Sequence, residues 1–346
     1  MPIISMGAVN TNNPALIRAA LDAGIVYFDT GYYYQSGRNE EMLGEVLSGR
    51  SRGSFCISSK VMGEHEDHVR GTFTDAASPE SFGRKFATSL RRLRLDYVDI
   101  FFLHNAGSRS SALYEPLLST MLRFKRDGKA RFIGVSTHIN EPEVIRAAVE
   151  SKVYDVVMTA YNFRQPHCEE VGKAIGEAAR AGLGVVAMKT QAGVYWDQDT
   201  KHPINMKAAL KWALKNPDVH TAIPGITTFD QLALDLSVMA EPDLTPEELA
   251  DLERPGLSGL YCAQCRRCVP QCPYGTDIPT LMRAYMYARG YQDPAAAKLA
   301  LDRAGINRTA CDRCESCAVR CTMGFDVAAK VKDIIRVVDV PDEFLT

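Results

Sequence analysis

The chain has 346 residues, of which 46% are hydrophobic, 24% charged and 8% aromatic; it is too long for one minimal domain and suits a large α/β unit with a small appendage. Lys+Arg 40 against Asp+Glu 42 leaves a net charge of -2, so there is no polyanion footprint and nucleic-acid binding is set aside. A mean hydropathy of -0.15, with no apolar run near ~20 residues, excludes a spanning helix. Short β-rich runs follow one another along the first two thirds of the chain, at residues 3–6, 25–29, 55–60, 98–104, 132–136, 156–161, 185–189 and 220–224. Helical stretches lie between them. After Ser78-Pro79, the residues Phe82, Phe86, Leu90 and Leu93 recur at helical spacing, with Ser78 placed to cap and Pro79 at the first turn. Asn140-Glu141-Pro142-Glu143 and Thr245-Pro246-Glu247-Glu248 read as further helix starts.

Runs such as Val98-Asp99-Ile100-Phe101-Phe102-Leu103 are apolar on both faces, as a parallel sheet covered by helices requires. Eight strand–helix units predict the α/β class, a (β/α)8 TIM barrel, whose usual size is ~250 residues. The rival is a doubly wound open sheet. No G-x-G-x-x-G follows the early strands, which weighs against a dinucleotide-binding unit of that kind. The barrel is expected over residues 1–254 and a second domain over 255–346, starting near Pro255-Gly256. Residues 1–7 lack a basic stretch followed by a long apolar one, so a cytoplasmic location is expected. Strand one starts almost at once, and an upstream export segment therefore stays open.

In such a barrel the chemistry belongs at the carboxyl ends of the strands. Asp29, with Tyr34 in the following loop, then Lys60 and His104 stand at those ends. A phenol holds its proton to pH ~10. A lysine ammonium beside it, itself held by an aspartate, lowers that value and makes the phenol a proton donor to a carbonyl oxygen. A neutral histidine alongside orients the carbonyl. One such residue alone is usually structural or solvated. Four at successive strand ends point to a site.

Phe28-Asp29-Thr30-Gly31-Tyr32-Tyr33-Tyr34, Gly37-Arg38-Asn39-Glu40, Ser59-Lys60 and the run from Leu95 to His104 resemble an aldo-keto reductase, over roughly residues 3–253. The resemblance implies an oxidoreductase that reduces a small-molecule carbonyl substrate by hydride from NADP(H) or NAD(H). Tyr34 would be the general acid, Asp29 and Lys60 its tuning pair, and His104 the orienting residue. Tyr32 and Tyr33 compete with Tyr34, and the step from Asp29 selects Tyr34. For the nucleotide the resemblance implies Ser136 as an amide contact, Lys189 near the pyrophosphate, and Gly225 and Thr227 in the phosphate loop. That loop offers Thr227, Thr228 and Asp230 but no cation for a 2′-phosphate. Met188 stands where the family often stacks an aromatic on nicotinamide, and Met158 where a carboxamide-holding amide is usual.

Eight of the ten cysteines form two runs, Cys262-Cys265-Cys268-Cys272 and Cys311-Cys314-Cys317-Cys321. Both read C-x2-C-x2-C-x3-C, with Pro273 after the first and Thr322 after the second. Adjacent CxxC pairs are poor staples for a large fold, and metal in a reducing compartment is the better reading. The pattern resembles bacterial-type ferredoxins, in which the fourth cysteine serves the other cluster. That implies one 4Fe-4S cluster on Cys262, Cys265, Cys268 and Cys321, and a second on Cys311, Cys314, Cys317 and Cys272. Paired zinc sites are the alternative. The 38 residues between the runs carry two helical stretches and resemble the α-helical ferredoxin class.

The rival function is an iron–sulfur electron-transfer protein whose barrel binds a ligand or a protein partner. Hydride moves two electrons together, a cluster passes one, and no flavin motif joins the two. Elsewhere, Glu64-His65-Glu66-Asp67-His68 reads as a solvated active-site loop rather than a metal cluster. Tyr195 and Trp196 stand between a substrate wall and surface packing, Cys56 reads as core, and Cys168 opens a helix, either as a reactive thiol or as a partly buried, inert one.

Overall fold

A computed structural model of the chain describes residues 2–67, 72–74, 76–194, 201–253, 262, 264, 266–308, 311–312, 314–322 and 324–345. Eight parallel strands run in the order β1 (Met6–Gly7), β2 (Tyr27–Asp29), β3 (Cys56–Val61), β4 (Val98–Leu103), β5 (Ala130–Thr137), β6 (Val156–Ala160), β7 (Gly184–Met188) and β8 (Thr221–Ala222). Parallel bridges from Ile4 to Ala222 and from Gly7 to Gly225 join the last strand to the first. The sheet closes on itself as a (β/α)8 barrel. No helix among the described residues is long and apolar enough to cross a membrane.

Helices alternate with the strands: α1 (Pro14–Asp22), α2 (Arg38–Leu47), α3 (Pro79–Leu93), α4 (Glu115–Arg126), α5 (Glu141–Ser151), α6 (Cys168–Arg180), α7 (Met206–Leu214) and α8 (Phe229–Ala240). Ser78 caps α3 by accepting the Ser81 N–H, and Phe82, Phe86 and Leu93 are buried as the helical period requires. Asn140 precedes α5 but does not cap it with its side chain; its amide donates instead to Gly107 O at 2.8 Å. A two-stranded hairpin, Glu66–Asp67 against Thr72–Phe73, occupies the segment after β3 that reads as loop in the sequence.

Side chains at every second strand position fill the barrel. Tyr27, Ile100, Phe102, Val156, Met158, Val186 and Ile223 form one buried cluster, with Cys56 and Met188 against it. Phe102 fits because Gly134 lies opposite: a Cβ there would come within 2.5 Å of the Phe102 ring. At the amino ends of the strands, a side chain from one strand takes the free amide of its neighbour. Asp99 Oδ2 accepts the Ile57 N–H at 2.9 Å, Asp155 Oδ2 that of Ile133 at 2.9 Å, and His220 Nδ1 that of Val185 at 2.9 Å. Arg52 also holds Asp99, at 2.6 Å. Asp99 therefore serves stability at the end of the barrel away from the candidate chemistry.

The chain divides into two compact units. The first comprises Met1–Asn162, Glu169–Thr190 and Leu210–Leu244; the second comprises Phe163–Cys168, Gln191–Ala209 and Thr245–Thr346. The segments following β6 and β7 thus group with the C-terminal part. Val194 N donates to Gly290 O at 3.2 Å, and the Asn205 amide to Asp251 at 3.1 Å. The second unit is otherwise helical, with α9 (Pro246–Leu252), α10 (Ile278–Tyr285), α11 (Pro294–Arg303) and α12 (Val327–Ile334). A capping box between Thr245 and Glu248 starts α9. The predicted domain start at Pro255-Gly256 lies outside the described residues.

Candidate active site and cysteine clusters

The inward parity that builds the core continues to the carboxyl ends of the strands. Tyr27 is followed inward by Asp29, Cys56 by Ser58 and Lys60, and Phe102 by His104. The layer above the apolar plug is therefore polar and ionisable. Lys60 Nζ donates to Asp29 Oδ2 at 2.5 Å and to Thr30 O at 2.6 Å, with side-chain exposures of 1% for Lys60 and 3% for Asp29. Ser58 Oγ donates to the other Asp29 oxygen at 2.5 Å and lies 2.9 Å from the Tyr27 hydroxyl. Burial pulls the Lys60 ammonium down, but Asp29 and the hydrogen-bonded Tyr34 outweigh it and hold the group above the usual lysine range.

Lys60 Nζ also lies 4.6 Å from the centre of the Tyr34 ring. The His104 ring stands edge-on to Tyr34, with centroids 5.9 Å apart and planes at 77°. The other two tyrosines are engaged elsewhere. The Tyr33 hydroxyl accepts from Lys85 Nζ at 2.8 Å, and Lys85 also pairs with Glu64. Tyr32 faces the Arg92 guanidinium at 4.7 Å. The loop carrying Tyr34 is pinned: Gln35 and Ser36 hold left-handed backbone at φ 49 and 56, and the Gln35 amide donates to Val9 O and Thr11 O. Such backbone costs of order 1–3 kcal/mol per residue and persists where its surroundings over-determine it.

The expected nucleotide contacts are less uniform. Ser136 is fully buried and its Oγ accepts the Asn105 N–H at 3.1 Å. Lys189 follows β7 in left-handed backbone at φ 55. Gly225 leaves open space where a Cβ would stand. Thr227 gives both its N–H and its hydroxyl to Gln231 Oε1, at 2.7 and 2.9 Å. Met158 is buried in the barrel core and Met188 packs on the same cluster. Sequence reasoning missed Asn105, one residue past His104. Its Oδ1 is buried without a hydrogen-bond partner among the described residues, as is Thr190 Oγ1 beside Lys189. Asn105 follows β4 and Thr190 follows β7, so two unsatisfied polar atoms stand at the carboxyl end of the barrel and suit a polar ligand there.

In the second unit, Leu281, Met282, Tyr285, Val319, Val327, Val331 and other apolar residues form a core, and Cys262, Cys268, Cys272, Cys311, Cys317 and Cys321 pack against it. Cys265 lies outside the described residues, as do Tyr195, Trp196 and His68. Burial pushes the Cys311 thiol up, and Cys272, Cys314 and Cys317 act on it in the same direction. Cys272, from the first run, thus lies within electrostatic reach of Cys311, from the second. The Cys272 sulfur accepts from the Thr276 hydroxyl and from the amides of Tyr274, Gly275 and Thr276, which outweigh burial and hold its thiol below the usual range. Among the described residues, no three His, Cys, Asp or Glu side chains converge closely enough to hold a metal ion. In a cubane cluster each thiolate binds a different iron, so its sulfurs stand apart rather than around one centre. Cys56 packs against the barrel core and Cys168 opens α6, both partly buried.

The aldo/keto reductase family model matches residues 9–206, more than half of the chain. The chain belongs to the aldo/keto reductase family. A second model, the 4Fe-4S dicluster domain, matches residues 261–326. A Bacillus subtilis relative, the uncharacterized oxidoreductase YqkF, is 23% identical over 289 residues, spanning 75% of this chain and 92% of its own. Methylglyoxal reductase YeaE of Escherichia coli is 26% identical over 255 residues, 69% of this chain and 83% of its own. Among solved structures, a Klebsiella pneumoniae aldo-keto reductase in complex with NADPH superposes with a TM-score of 0.58 at 23% identity, covering 75% of this chain and 92% of that one. The protein is an oxidoreductase that joins an aldo-keto reductase barrel to a 4Fe-4S dicluster domain.

Proposed function

We propose that the chain reduces a small carbonyl compound by hydride from NADPH or NADH, with Tyr34 as general acid, and carries two 4Fe-4S clusters. One observation supports this above the rest: a lysine buried to 1% exposure is held by a buried aspartate and bonded to the Tyr34 phenol. No structural need of the barrel calls for an ion pair at that depth, since a buried pair is weak as a stabiliser. When bound, NAD(P)H supplies hydride to the carbonyl carbon. Tyr34 gives its hydroxyl proton to the carbonyl oxygen as negative charge develops there. The Lys60 ammonium stabilises the phenolate left behind, and Asp29 keeps that ammonium in place. His104 orients the carbonyl oxygen toward the phenol.

The residues present fit a nicotinamide nucleotide. Ser136 and Asn105 would hold the carboxamide, Asn105 Oδ1 accepting the amide N–H that Met158 cannot take. Lys189 and Thr190 would meet the pyrophosphate. Gly225 leaves room for a phosphate, and Thr227 would have to release Gln231 to bind it. In the C-terminal domain, Cys262, Cys265, Cys268 and Cys321 would hold one cluster, and Cys311, Cys314, Cys317 and Cys272 the other. That Cys272, from the first run, lies within electrostatic reach of Cys311 favours this crossed assignment.

Tyr34→Phe tests the acid. Nucleotide affinity should stay within twofold, and turnover of methylglyoxal should fall at least ~10²-fold, the lower end for general acid catalysis. Near wild-type turnover would remove Tyr34 from the mechanism. Anaerobically isolated protein should carry about eight iron and eight sulfide for two 4Fe-4S sites, and zinc without sulfide would overturn the cluster reading.

A further inference from the structure

Helix α10 carries a basic side chain into the interior of the second unit. Arg283 is 9% exposed and carries a guanidinium cation. Its Nη2 donates to Gln264 Oε1 at 2.9 Å. Its Nε is buried and has no partner among the described residues. No described carboxylate pairs with it, so a full positive charge is buried against one neutral amide. Such a charge is unfavourable unless an anion compensates it.

The neighbourhood of Arg283 names the anion. Gln264, itself 5% exposed, lies between Cys262 and Cys265 in sequence. Its backbone N–H donates to Cys262 Sγ at 3.4 Å, and its amide donates to Pro279 O at 3.2 Å. The guanidinium is thus separated from the Cys262 thiol by one residue. Leu281, Met282, Ala284 and Tyr285, on the same helix, belong to a core against which cysteines of both sets pack; the contact through Gln264 is what ties Arg283 to Cys262. A cubane cluster with four thiolates is a dianion when oxidised and gains a further negative charge on reduction.

We propose that Arg283 is the counter-ion of the 4Fe-4S cluster on Cys262, Cys265, Cys268 and Cys321, and that its charge makes this cluster easier to reduce. The proposal rests on the two-cluster reading above. A fixed cation in a low-dielectric interior favours the more negative, reduced state over the oxidised one. Lys330 adds a second cation on this side, 4.0 Å over the Tyr285 ring and within electrostatic reach of Cys321. The other ligand set has its cation at the surface: Arg320 is exposed, and its Nη1 donates to Cys317 O at 2.9 Å.

The full chain, isolated anaerobically with iron and sulfide counted, is titrated with dithionite while the reduced clusters are followed by electron paramagnetic resonance. Wild type, Arg283→Gln and Arg283→Lys are compared. In Arg283→Gln, half of the reducible signal should move, its reduced-to-oxidised ratio at fixed potential falling at least tenfold, equivalent to about 59 mV for one electron. The other half should stay in place, and Arg283→Lys should remain within threefold of wild type throughout. No shift, or an equal shift of both halves, overturns the proposal. If the glutamine variant loses half its iron while the lysine variant keeps it, the charge holds the cluster and the proposal stands. Loss in both variants makes Arg283 a packing residue and overturns it. Wild-type protein without about eight iron and eight sulfide overturns the two-cluster reading itself, a failure seen before any variant is made.

Discussion

Lys60→Met isolates the buried pair at the centre of the barrel mouth. The substitution keeps the length of the side chain and removes three hydrogen bonds, to Asp29, Thr30 O and Tyr34. Asp29, 3% exposed, is left with Ser58 as its donor. Breaking a buried pair from one side typically costs about 3–5 kcal/mol. In the native chain burial already pushes the Asp29 carboxyl up, and Lys60 is the largest influence pulling it back. Without Lys60 the carboxyl rises further and holds its proton in the folded state, where the unfolded chain has lost it above about pH 3.9. The folded state then binds more protons than the unfolded state, so stability falls as pH rises, by up to about 1.4 kcal/mol per pH unit. Urea unfolding followed by far-ultraviolet circular dichroism at pH 5 and pH 7.5 reads this directly. The variant should lose about 3–5 kcal/mol at pH 7.5 and clearly less at pH 5, and Asp29→Asn/Lys60→Met should recover most of the loss. A destabilisation under about 1 kcal/mol at pH 7.5, or one equal at both pH values, would refute the reasoning.

Two further outcomes follow from the barrel. Without a cation in the loop from Thr227 to Gln231, NADPH should be preferred over NADH by less than tenfold, or about 1.4 kcal/mol, in fluorescence titrations; a hundredfold preference would show the phosphate loop to be misplaced. Asn105→Ala should bind NADPH several-fold more weakly and lose discrimination against the 3-acetylpyridine analogue, which lacks the amide N–H. Unchanged discrimination would remove Asn105 from the nucleotide site.

Much of this arrangement was legible because parallel strands obey a two-residue parity. Once residues 25–29, 55–60 and 98–104 read as strands, Asp29, Lys60 and His104 had to share the carboxyl-end layer, and the apolar partners Tyr27 and Phe102 had to lie beneath it. The period of α3 was legible for the same reason, since Phe82, Phe86 and Leu93 face one way. Features set by distant contacts were not. Asn105 turns left-handed at φ 63, with its amide on Ser136, and nothing local to His104-Asn105 announces that turn. Nothing in the sequence around Arg283 marks its burial, which the packing of α10 sets. The grouping of residues 163–168 and 191–209 with the C-terminal unit depends on pairings such as Val194 with Gly290, about a hundred positions apart, which no local pattern encodes. The hairpin at Glu66–Asp67 was missed because charged residues are poor strand formers and the pairing is only two residues long.

Whether the barrel transfers hydride or the clusters feed electrons one at a time is decided by the origin of the new hydrogen on carbon. NADPH and NADH deuterated on either face of the nicotinamide C4 are supplied to the oxidised, cluster-loaded protein with an aldehyde it turns over that has no second carbonyl, in ordinary water, and the alcohol is analysed by mass spectrometry. Direct hydride transfer with Tyr34 as acid places deuterium on the product carbon from one of the two faces, with the solvent proton on oxygen. An alcohol that carries solvent hydrogen on carbon from both labelled nucleotides would contradict the mechanism and place the chemistry with the clusters.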